Sequence, residues 1–173
     1  MEDKALLSTE VASGAEKAEL LIVIPAYNEA ENIERVVNHL TANFLQYDYV
    51  VVNDGSRDET AAICQRNGYN LLNLPVNLGL AGAFQAGLKY ADKYGYQYAV
   101  QLDGDGQHRP EYLESMIKKM EEGYDIVIGS RFVGEKKPFT MRMLGSNLIE
   151  MAIRFTTGVN IKDPTSGMRM FSK

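Results

Sequence analysis

The sequence lacks the features that mark several large functional classes. Its 173 residues include one cysteine, Cys64, and no tryptophan. A single cysteine excludes a disulfide within the chain, and we expect a buried, inert thiol. The 18 basic residues are outnumbered by 23 acidic ones, giving a net charge of −5, so we expect no nucleic-acid partner. No apolar run approaches the roughly 20 residues of a spanning helix, and no signal peptide is evident, which predicts a cytoplasmic location.

Two common catalytic motifs are also missing. The sequence contains no Gly-x-Ser-x-Gly elbow, and its one cysteine lies in a predicted helix, so a nucleophilic triad is disfavoured. It contains no Gly-x-x-x-x-Gly-Lys-Ser/Thr loop either, which disfavours P-loop nucleotide hydrolysis.

The chain divides into a short leader and one domain. Residues 1–19 are rich in Ala, Glu, Ser and Lys without a firm period, and we expect a mobile leader. Beyond them, short β-branched or aromatic runs alternate with helical segments. The predicted strands are 20–25, 47–53, 70–74, 96–102 and 124–128. This alternation predicts an α/β domain over 20–173, with a Rossmann-like, mostly parallel sheet and helices on both faces.

Helix starts and faces also have sequence signals. Asn28 with Glu31, and Ser56 with Glu59, have capping-box spacing and predict helices directly after the first two strands. The helix after Pro110 carries apolar residues at helical period, which we expect to face the sheet. They are Tyr112, Leu113, Met116, Ile117 and Met120.

Polar motifs follow every predicted strand. Because the carboxyl ends of parallel strands share one edge of a sheet, where ligands bind, these motifs predict a single site. They are Tyr27-Asn28-Glu29, Asn53-Asp54-Gly55-Ser56, Asn77-Leu78-Gly79, Asp103-Gly104-Asp105-Gly106-Gln107-His108 and Gly129-Ser130-Arg131.

The fourth motif is the most informative. Asp103, Asp105 and Gln107 offer hard oxygen ligands at alternating positions, which suits a Mg²⁺ or Mn²⁺ ion that also binds phosphate. Gly104 and Gly106 leave room for a ligand near the backbone. The turn therefore predicts a diphosphate held by a metal ion.

Two other interpretations of this turn remain open. Counted from Asp103, the spacing resembles an EF-hand loop with Glu114 in its twelfth position, but His108 stands where that loop needs glycine. In the second interpretation, the turn is a solvated acidic surface loop without a ligand.

Other candidates each have a functional and a structural interpretation. Asp54 accepts hydrogen bonds from a nucleobase or ribose, or caps its own turn. Tyr27 stacks on a base or packs in the core. Arg131 binds phosphate through its planar fork or forms a surface salt bridge. Arg142 and Arg169 are further candidates for contact with an anionic substrate.

Six segments, in this order, resemble family 2 of the inverting glycosyltransferases, and most closely its polyprenyl-phosphate branch, which includes dolichyl-phosphate mannosyltransferase. The resemblance spans about residues 20–173. It rests on Ile24-Pro25-Ala26-Tyr27-Asn28-Glu29, Asn53-Asp54-Gly55-Ser56, Asn77-Leu78-Gly79, Asp103-Gly104-Asp105-Gly106-Gln107-His108, Gly129-Ser130-Arg131 and Asp163-Pro164-Thr165-Ser166-Gly167-Met168-Arg169.

The resemblance implies a GT-A fold and metal-dependent transfer of a sugar, with inversion, from a UDP- or GDP-sugar to a polyprenyl phosphate. It assigns the nucleotide-sugar to Pro25, Tyr27, Glu29, Asp54 and Asp103. It assigns Mg²⁺ or Mn²⁺ to Asp103, Asp105 and Gln107. The catalytic residues would be Asp105, which serves the diphosphate, and Arg131 and Arg142, which hold the acceptor phosphate.

The chain also departs from the family pattern. Asn53 replaces the usual first Asp of its motif, and Arg109 stands where Pro is common. Relatives continue beyond the last motif, so we expect the domain to be incomplete at its C-terminus. An apolar stripe after Thr140, which includes Met151 and Phe155, predicts either a core helix or peripheral contact with the inner face of a membrane in the full-length protein.

Two rival functions remain. Transfer to a saccharide during cell-surface polysaccharide synthesis would require a carboxylate base, for which Asp163 is a candidate. The other rival is a non-catalytic fragment that binds the nucleotide-sugar without turnover.

Overall fold

The computed structural model describes residues 19–106, 108–129, 151, 154–156, 158 and 167–173. The elements in chain order are β1 (Leu20–Ala26), α1 (Ile33–Asn43), β2 (Asp48–Asn53), α2 (Thr60–Arg66), β3 (Leu71–Asn73), α3 (Gly79–Tyr94), β4 (Tyr98–Gln101), a 3₁₀ turn (Pro110–Tyr112), α4 (Leu113–Glu121), β5 (Ile126–Ile128) and β6 (Arg169–Ser172). Within this part of the chain, no helix has both the length and the apolar character needed to cross a bilayer.

The described strands form one six-stranded sheet in the order β3-β2-β1-β4-β6-β5. Strand β1 pairs in parallel with β2 on one side and with β4 on the other. Strand β6 is antiparallel to both β4 and β5, so β5 runs in the same direction as the first four strands. The predicted mostly parallel α/β sheet is confirmed.

The sheet has helices on both faces because its central strand is apolar along its whole length. All seven residues of β1 are buried, as expected for an inner parallel strand. Leu20, Ile22 and Ile24 belong to the cluster that includes residues of α1, α2 and α4. Leu21 and Val23 belong to the opposite cluster, which includes residues of α3.

The five predicted strands are confirmed, each with ends within two residues of the predicted ones, but β6 was not predicted. Its four residues include Arg169, which the sequence suggested only as a contact for an anionic substrate at the end of the sixth motif. Only Met170 in this strand is fully buried, so the segment has no alternating apolar pattern of its own. Its conformation depends on pairing with β4 and β5.

The predicted capping boxes are wrong. The first helix begins at Ile33 and the second at Thr60, and neither has a side-chain cap. Asn28 instead adopts a left-handed conformation with φ of 57°, which asparagine tolerates better than most residues. Its side chain, like that of Ser56, is used to join two loops, as described below.

The buried face predicted for the helix after Pro110 is confirmed except at Tyr112. Leu113, Met116 and Met120 are buried, whereas Tyr112 is 50% exposed. Tyr112 lies in the 3₁₀ turn, whose tighter winding changes the direction of its side chain. The guanidinium carbon of Arg109 lies 5.5 Å from the centre of the Tyr112 ring.

Cys64 is buried in α2, as predicted. Burial raises the pKa of its thiol to about 11. Since the thiolate is the nucleophilic form, little reactive sulfur is present at neutral pH.

The close packing of α3 on β1 yields a stability prediction. A Cβ at Gly87 would overlap Cγ1 of Val23. We therefore expect Gly87→Ala to lower the free energy of unfolding by about 1–3 kcal/mol through overpacking, although alanine favours helix by about 1 kcal/mol. Denaturant unfolding measures the change. The control is Gln85→Ala on the exposed face of α3, which we expect to be nearly neutral. A Gly87→Ala protein as stable as the wild type would contradict this packing.

Candidate active site

A cavity of about 420 Å³ lies at the carboxyl edge of the sheet. It opens where β1 separates β2 from β4, which is the switch point at which α/β proteins bind ligands. Its lining includes six residues predicted from the sequence, namely Pro25, Tyr27, Glu29, Asp54, Asp103 and Asp105. Of the other candidates, Gln107, Arg131, Arg142 and Asp163 lie outside the described residues, and Arg169 lies on β6 and does not line this cavity.

The loop after β1 is fastened to the loop after β2 by reciprocal hydrogen bonds. The backbone N–H of Asn28 donates to Oγ of Ser56 over 3.0 Å, and the backbone N–H of Arg57 donates to Oδ1 of Asn28 over 2.9 Å. The backbone N–H of Glu29 donates to Oγ1 of Thr60 over 2.9 Å. The residues expected to cap helices therefore hold two walls of the cavity together.

Asp58 adds to the same junction. Its Oδ2 accepts a hydrogen bond from the backbone N–H of Ala30, and its Oδ1 accepts one from the backbone N–H of Thr60. Desolvation raises the pKa of Asp58, but hydrogen bonds from Thr60 and Ala30 outweigh it and leave the pKa below its usual value. The carboxylate is thus stabilised in its charged form.

Tyr27 lies on the cavity wall and is 43% exposed. A tyrosine packed in the core would be buried. The exposed ring fits the interpretation of Tyr27 as a stacking surface better than the packing interpretation.

Asp54 is buried, with 3% of its surface exposed, and it lines the cavity. Its Oδ1 accepts a hydrogen bond from the backbone N–H of Leu78 over 2.7 Å. The structure therefore assigns it a structural partner in the third polar motif and not in its own turn. Among the described residues, Oδ2 of Asp54 has no hydrogen-bond partner.

Asn53, the departure from the family pattern, has a structural explanation. Its Nδ2 donates to Oδ1 of Asn73 on the neighbouring strand over 2.5 Å, and its Oδ1 accepts from the backbone N–H of Ser56. An aspartate could not donate the first of these bonds. The side-chain amide of Asn53 is therefore needed for its hydrogen bond to the side-chain amide of Asn73.

The acidic turn after β4 is held by its neighbours. Oδ1 of Asp103 accepts a hydrogen bond from Nε2 of Gln101 over 2.9 Å. The backbone N–H of Asp103 donates to Nδ1 of His108, and Nε2 of His108 lies 3.5 Å from Oδ2 of Asp103. Since Nδ1 accepts, the ring proton of His108 is on Nε2, facing the carboxylate. Gln101 and His108 therefore orient the Asp103 side chain.

Gly104 and Gly106 both lie close to other parts of the protein, and Gly104 also lines the cavity. A Cβ at Gly104 would lie 3.2 Å from the carbonyl oxygen of Pro25 and 3.4 Å from Cγ of Glu29. A Cβ at Gly106 would lie 2.8 Å from a guanidinium nitrogen of Arg35. A side chain at either position would therefore meet protein atoms, and the approach of a ligand to the backbone of these glycines stays a prediction.

The EF-hand interpretation of this turn is wrong. A strand and not a helix precedes the turn. Glu114, the twelfth position, lies on α4 and forms an exposed ion pair with Lys118 over 3.1 Å. It is not among the cavity residues.

Two carboxylates, Asp103 and Asp105, remain as potential metal ligands in the cavity. Across the part of the chain that the structure describes, no group of three His, Cys, Asp or Glu side chains is placed to hold a metal ion. A pair of carboxylates nevertheless fits Mg²⁺ or Mn²⁺, which commonly takes one or two protein carboxylates together with ligand phosphates. The orientation of Asp103 by Gln101 and His108 is of the kind found around metal ligands.

The described part of the cavity lining is acidic. This described part includes four carboxylates, those of Glu29, Asp54, Asp103 and Asp105, and no lysine or arginine. An anionic ligand entering the cavity would be repelled unless a cation accompanied it.

Sequence reasoning missed several residues of the site. Leu80 and Ala83, from the first turns of α3, line the cavity without any polar signal. Arg35 and Gln101 contact the acidic turn from elements interpreted only as a helix and a strand. Only the positions of Gln101, two residues before Asp103, and of Leu80, next to the Asn77-Leu78-Gly79 motif, could have drawn attention.

The model of the family described as "Glycosyl transferase family 2" matches residues 21–173. This chain belongs to glycosyltransferase family 2. It is 33% identical to the polyprenol monophosphomannose synthase of Mycolicibacterium smegmatis, over 88% of this chain and 61% of that protein. It is 31% identical to the undecaprenyl-phosphate mannosyltransferase of Micrococcus luteus, over 88% of this chain and 65% of that protein. The chain thus spans less than two thirds of the length of these curated relatives.

A solved structure with a similar fold supports the GT-A assignment. Glucosyl-3-phosphoglycerate synthase from Mycobacterium tuberculosis, in complex with Mn²⁺ and UDP-glucose, superposes with a TM-score of 0.68 and 22% identity. The match covers 88% of this chain and 55% of that one. The predicted family and fold are both confirmed.

The two oxygens of Asp54 allow its structural and binding roles to be separated. In Asp54→Asn, Oδ1 still accepts from Leu78, but a donor replaces Oδ2. We expect near wild-type stability together with weaker nucleotide binding, by about tenfold for one lost acceptor. In Asp54→Ala, the Leu78 N–H loses its partner, and we expect a loss of about 1–3 kcal/mol in the free energy of unfolding.

Denaturant unfolding and calorimetric titration with UDP and GDP in the presence of Mn²⁺ measure these effects. Unchanged affinity in Asp54→Asn would show that Asp54 serves the fold alone.

Proposed function

We propose that this chain is the donor-binding and catalytic part of a glycosyltransferase that uses a UDP- or GDP-sugar and a polyprenyl phosphate. The single observation that carries this proposal is the cavity at the switch point, where an exposed tyrosine, a buried carboxylate and a pair of aspartates lie together. The names of the Mycolicibacterium and Micrococcus relatives support the polyprenyl-phosphate acceptor.

The cavity would hold the two ends of the donor separately. Pro25, Tyr27, Glu29 and Asp54 would bind the nucleoside, Tyr27 by stacking and Asp54 through Oδ2. Asp103 lies across the cavity on the loop after β4 and would serve the diphosphate.

The negative charges of the donor and of the described cavity lining suggest that donor binding depends on a metal ion. A nucleotide diphosphate carries two or three negative charges, and the described lining of the cavity is acidic. Asp103, Asp105 and Gln107 would hold Mg²⁺ or Mn²⁺, which when bound offsets the charge of the leaving nucleotide. The presence of Mn²⁺ with UDP-glucose in the Mycobacterium tuberculosis synthase supports the use of a divalent ion with the donor.

The proposed reaction is a single displacement. An oxygen of the polyprenyl phosphate attacks the anomeric carbon, the bond from that carbon to the diphosphate oxygen breaks, and the electron pair leaves with the nucleotide diphosphate. A phosphate monoester is already ionised at neutral pH, so no strong protein base is needed. Attack opposite the leaving group inverts the anomeric configuration. Arg131 and Arg142 would hold the attacking phosphate.

The anomeric configuration of the product tests inversion. We expect NMR coupling constants to show that the configuration of the sugar–phosphate bond is opposite to that in the donor. Retention would require a covalent or ion-pair intermediate and would exclude the single displacement.

Donor binding should depend on the divalent ion. We expect calorimetric titration to show UDP or GDP binding with Mn²⁺ and its loss after chelation, because the acidic cavity repels the free anion. Asp105→Asn should weaken the Mn²⁺-dependent affinity tenfold or more, about 1.4 kcal/mol, with little change in stability. Glu114→Gln, on the exposed face of α4, is the matched control. Equal affinity with and without chelator would reject metal dependence.

Substitution of Arg131 should reduce the use of the acceptor and leave the affinity for the donor nearly unchanged. Arg131→Lys keeps the charge but loses the planar fork, so we expect polyprenyl-phosphate use to fall about tenfold while donor affinity stays within about twofold. Steady-state kinetics with varied acceptor, beside a donor titration, measure the two effects. An equal loss in donor affinity would remove Arg131 from the acceptor side.

The same measurements test the rival functions. Donor binding without turnover would identify a binding fragment, in keeping with the 61% and 65% of the two curated relatives that the chain spans. Turnover with a saccharide and not with polyprenyl phosphate would favour polysaccharide synthesis.

We also propose that the full-length protein acts at the cytoplasmic face of a membrane. Of the apolar stripe after Thr140, the structure describes Met151 and Phe155, and these are 63% and 92% exposed. Exposed apolar residues on one helical stripe support peripheral contact with lipid.

A further inference from the structure

Arg35 connects α1 to the acidic turn. It lies on the exposed side of the helix, yet one guanidinium nitrogen donates to the backbone carbonyl of Asp105 over 2.9 Å. The two residues are 70 positions apart in the sequence. Hydrogen bonds from a charged donor are stronger than neutral ones, so this contact restrains the backbone that carries the Asp105 carboxylate.

The fit between Arg35 and the turn depends on Gly106. Gly106 has φ of 78°, and a Cβ at this position would lie 2.8 Å and 3.0 Å from the two terminal guanidinium nitrogens. The guanidinium therefore lies directly against the glycine backbone. A side chain at position 106 would overlap this guanidinium, which accounts for glycine after Asp105.

A second set of hydrogen bonds connects Arg35 with Glu29, one of the residues proposed to bind the nucleoside. The same Arg35 nitrogen lies 3.3 Å from Oδ1 of Asn32, and Nδ2 of Asn32 donates to Oε2 of Glu29 over 2.9 Å. Glu29 and Asp105 are both cavity residues. Hydrogen bonds of Asn32 and Arg35, at the start of α1, thus link the two cavity residues Glu29 and Asp105.

Arg35 has no carboxylate partner among the described residues. Its hydrogen bonds go to an amide oxygen and a backbone carbonyl. An exposed arginine more often pairs with an acidic side chain or with solvent. The contacts of Arg35 instead restrain the backbone at Asp105.

We propose that Arg35 is a positioning residue that holds the Asp105-Gly106 backbone in the conformation that binds the divalent ion, and that Asn32 and Glu29 link this support to the nucleoside side. The inference rests on the proposed function. Arg35 itself need not touch the ion or the donor.

An electrostatic role and a positioning role of Arg35 predict opposite changes in Mn²⁺ affinity when its charge is removed. Removing a positive charge beside an acidic cation site should strengthen Mn²⁺ binding by Coulomb's law. Removing a group that orients a metal ligand should weaken it, typically tenfold or more. The sign of the change therefore identifies the role.

The experiment measures Mn²⁺ affinity by electron paramagnetic resonance in the presence of UDP or GDP, whichever binds the wild type. We expect Arg35→Gln to weaken Mn²⁺ binding about tenfold and Arg35→Lys to recover part of the loss through a single bond to the carbonyl. Arg66→Gln, which removes an exposed charge from the last turn of α2, is the control and should leave Mn²⁺ affinity within about twofold.

Hydrogen exchange supplies a readout without metal or nucleotide. We expect the amides of residues 103–106 to exchange faster in Arg35→Gln than in the wild type, and those of β1 to be unchanged. Circular dichroism checks that each variant is folded.

The outcomes separate the two proposals. A wild type that binds no nucleotide with Mn²⁺ overturns the proposed function, and this inference with it. If the wild type binds but Arg35→Gln holds Mn²⁺ as well or more tightly, the positioning role of Arg35 alone is overturned.

Discussion

The parallel pairing of β1 with both β2 and β4 is the constraint on which the rest of the molecule depends. It places the ends of three strands side by side, so residues separated by more than 70 positions, such as Pro25 and Asp103, meet at one cavity. The apolar residues of β1 point alternately to two cores, which fixes helices on both faces. The polar residues of the cavity lie on the loops after the strands, where the chain leaves the core.

Those loops are held by side chains that bind backbone groups. Asn28 and Ser56 join the first two loops, Asp54 binds the N–H of Leu78, and Arg35 binds the carbonyl of Asp105. Each bond fixes a position of the chain independently of any ligand. A cavity with so many like charges benefits from this, because repulsion between carboxylates would otherwise move the loops apart.

Five of the six described strands and six cavity residues could be predicted because each depends on local sequence. The run Leu20–Ala26 indicates a buried strand by itself, and Asp103 and Asp105 indicate an oxygen-rich turn by themselves. Residues whose role depends on a distant partner could not be predicted. The capping pattern at Asn28 failed because Arg57 and Ser56 compete for the same groups, and β6 has too little apolar pattern to stand out from a loop.

The position of β6 has a consequence for how the molecule folds. It lies between β4 and β5 in the sheet, although it follows β5 in the chain by about forty residues. Strand β5, which in the described sheet pairs with β6 and with no other strand, is made by the ribosome well before that partner. The first four strands can associate while the chain is still being synthesised, since their contacts lie within residues 20–101. The edge formed by β5 and β6 must wait for the later segment, so its assembly is slower and more exposed to misfolding than that of the half formed by β1 to β4.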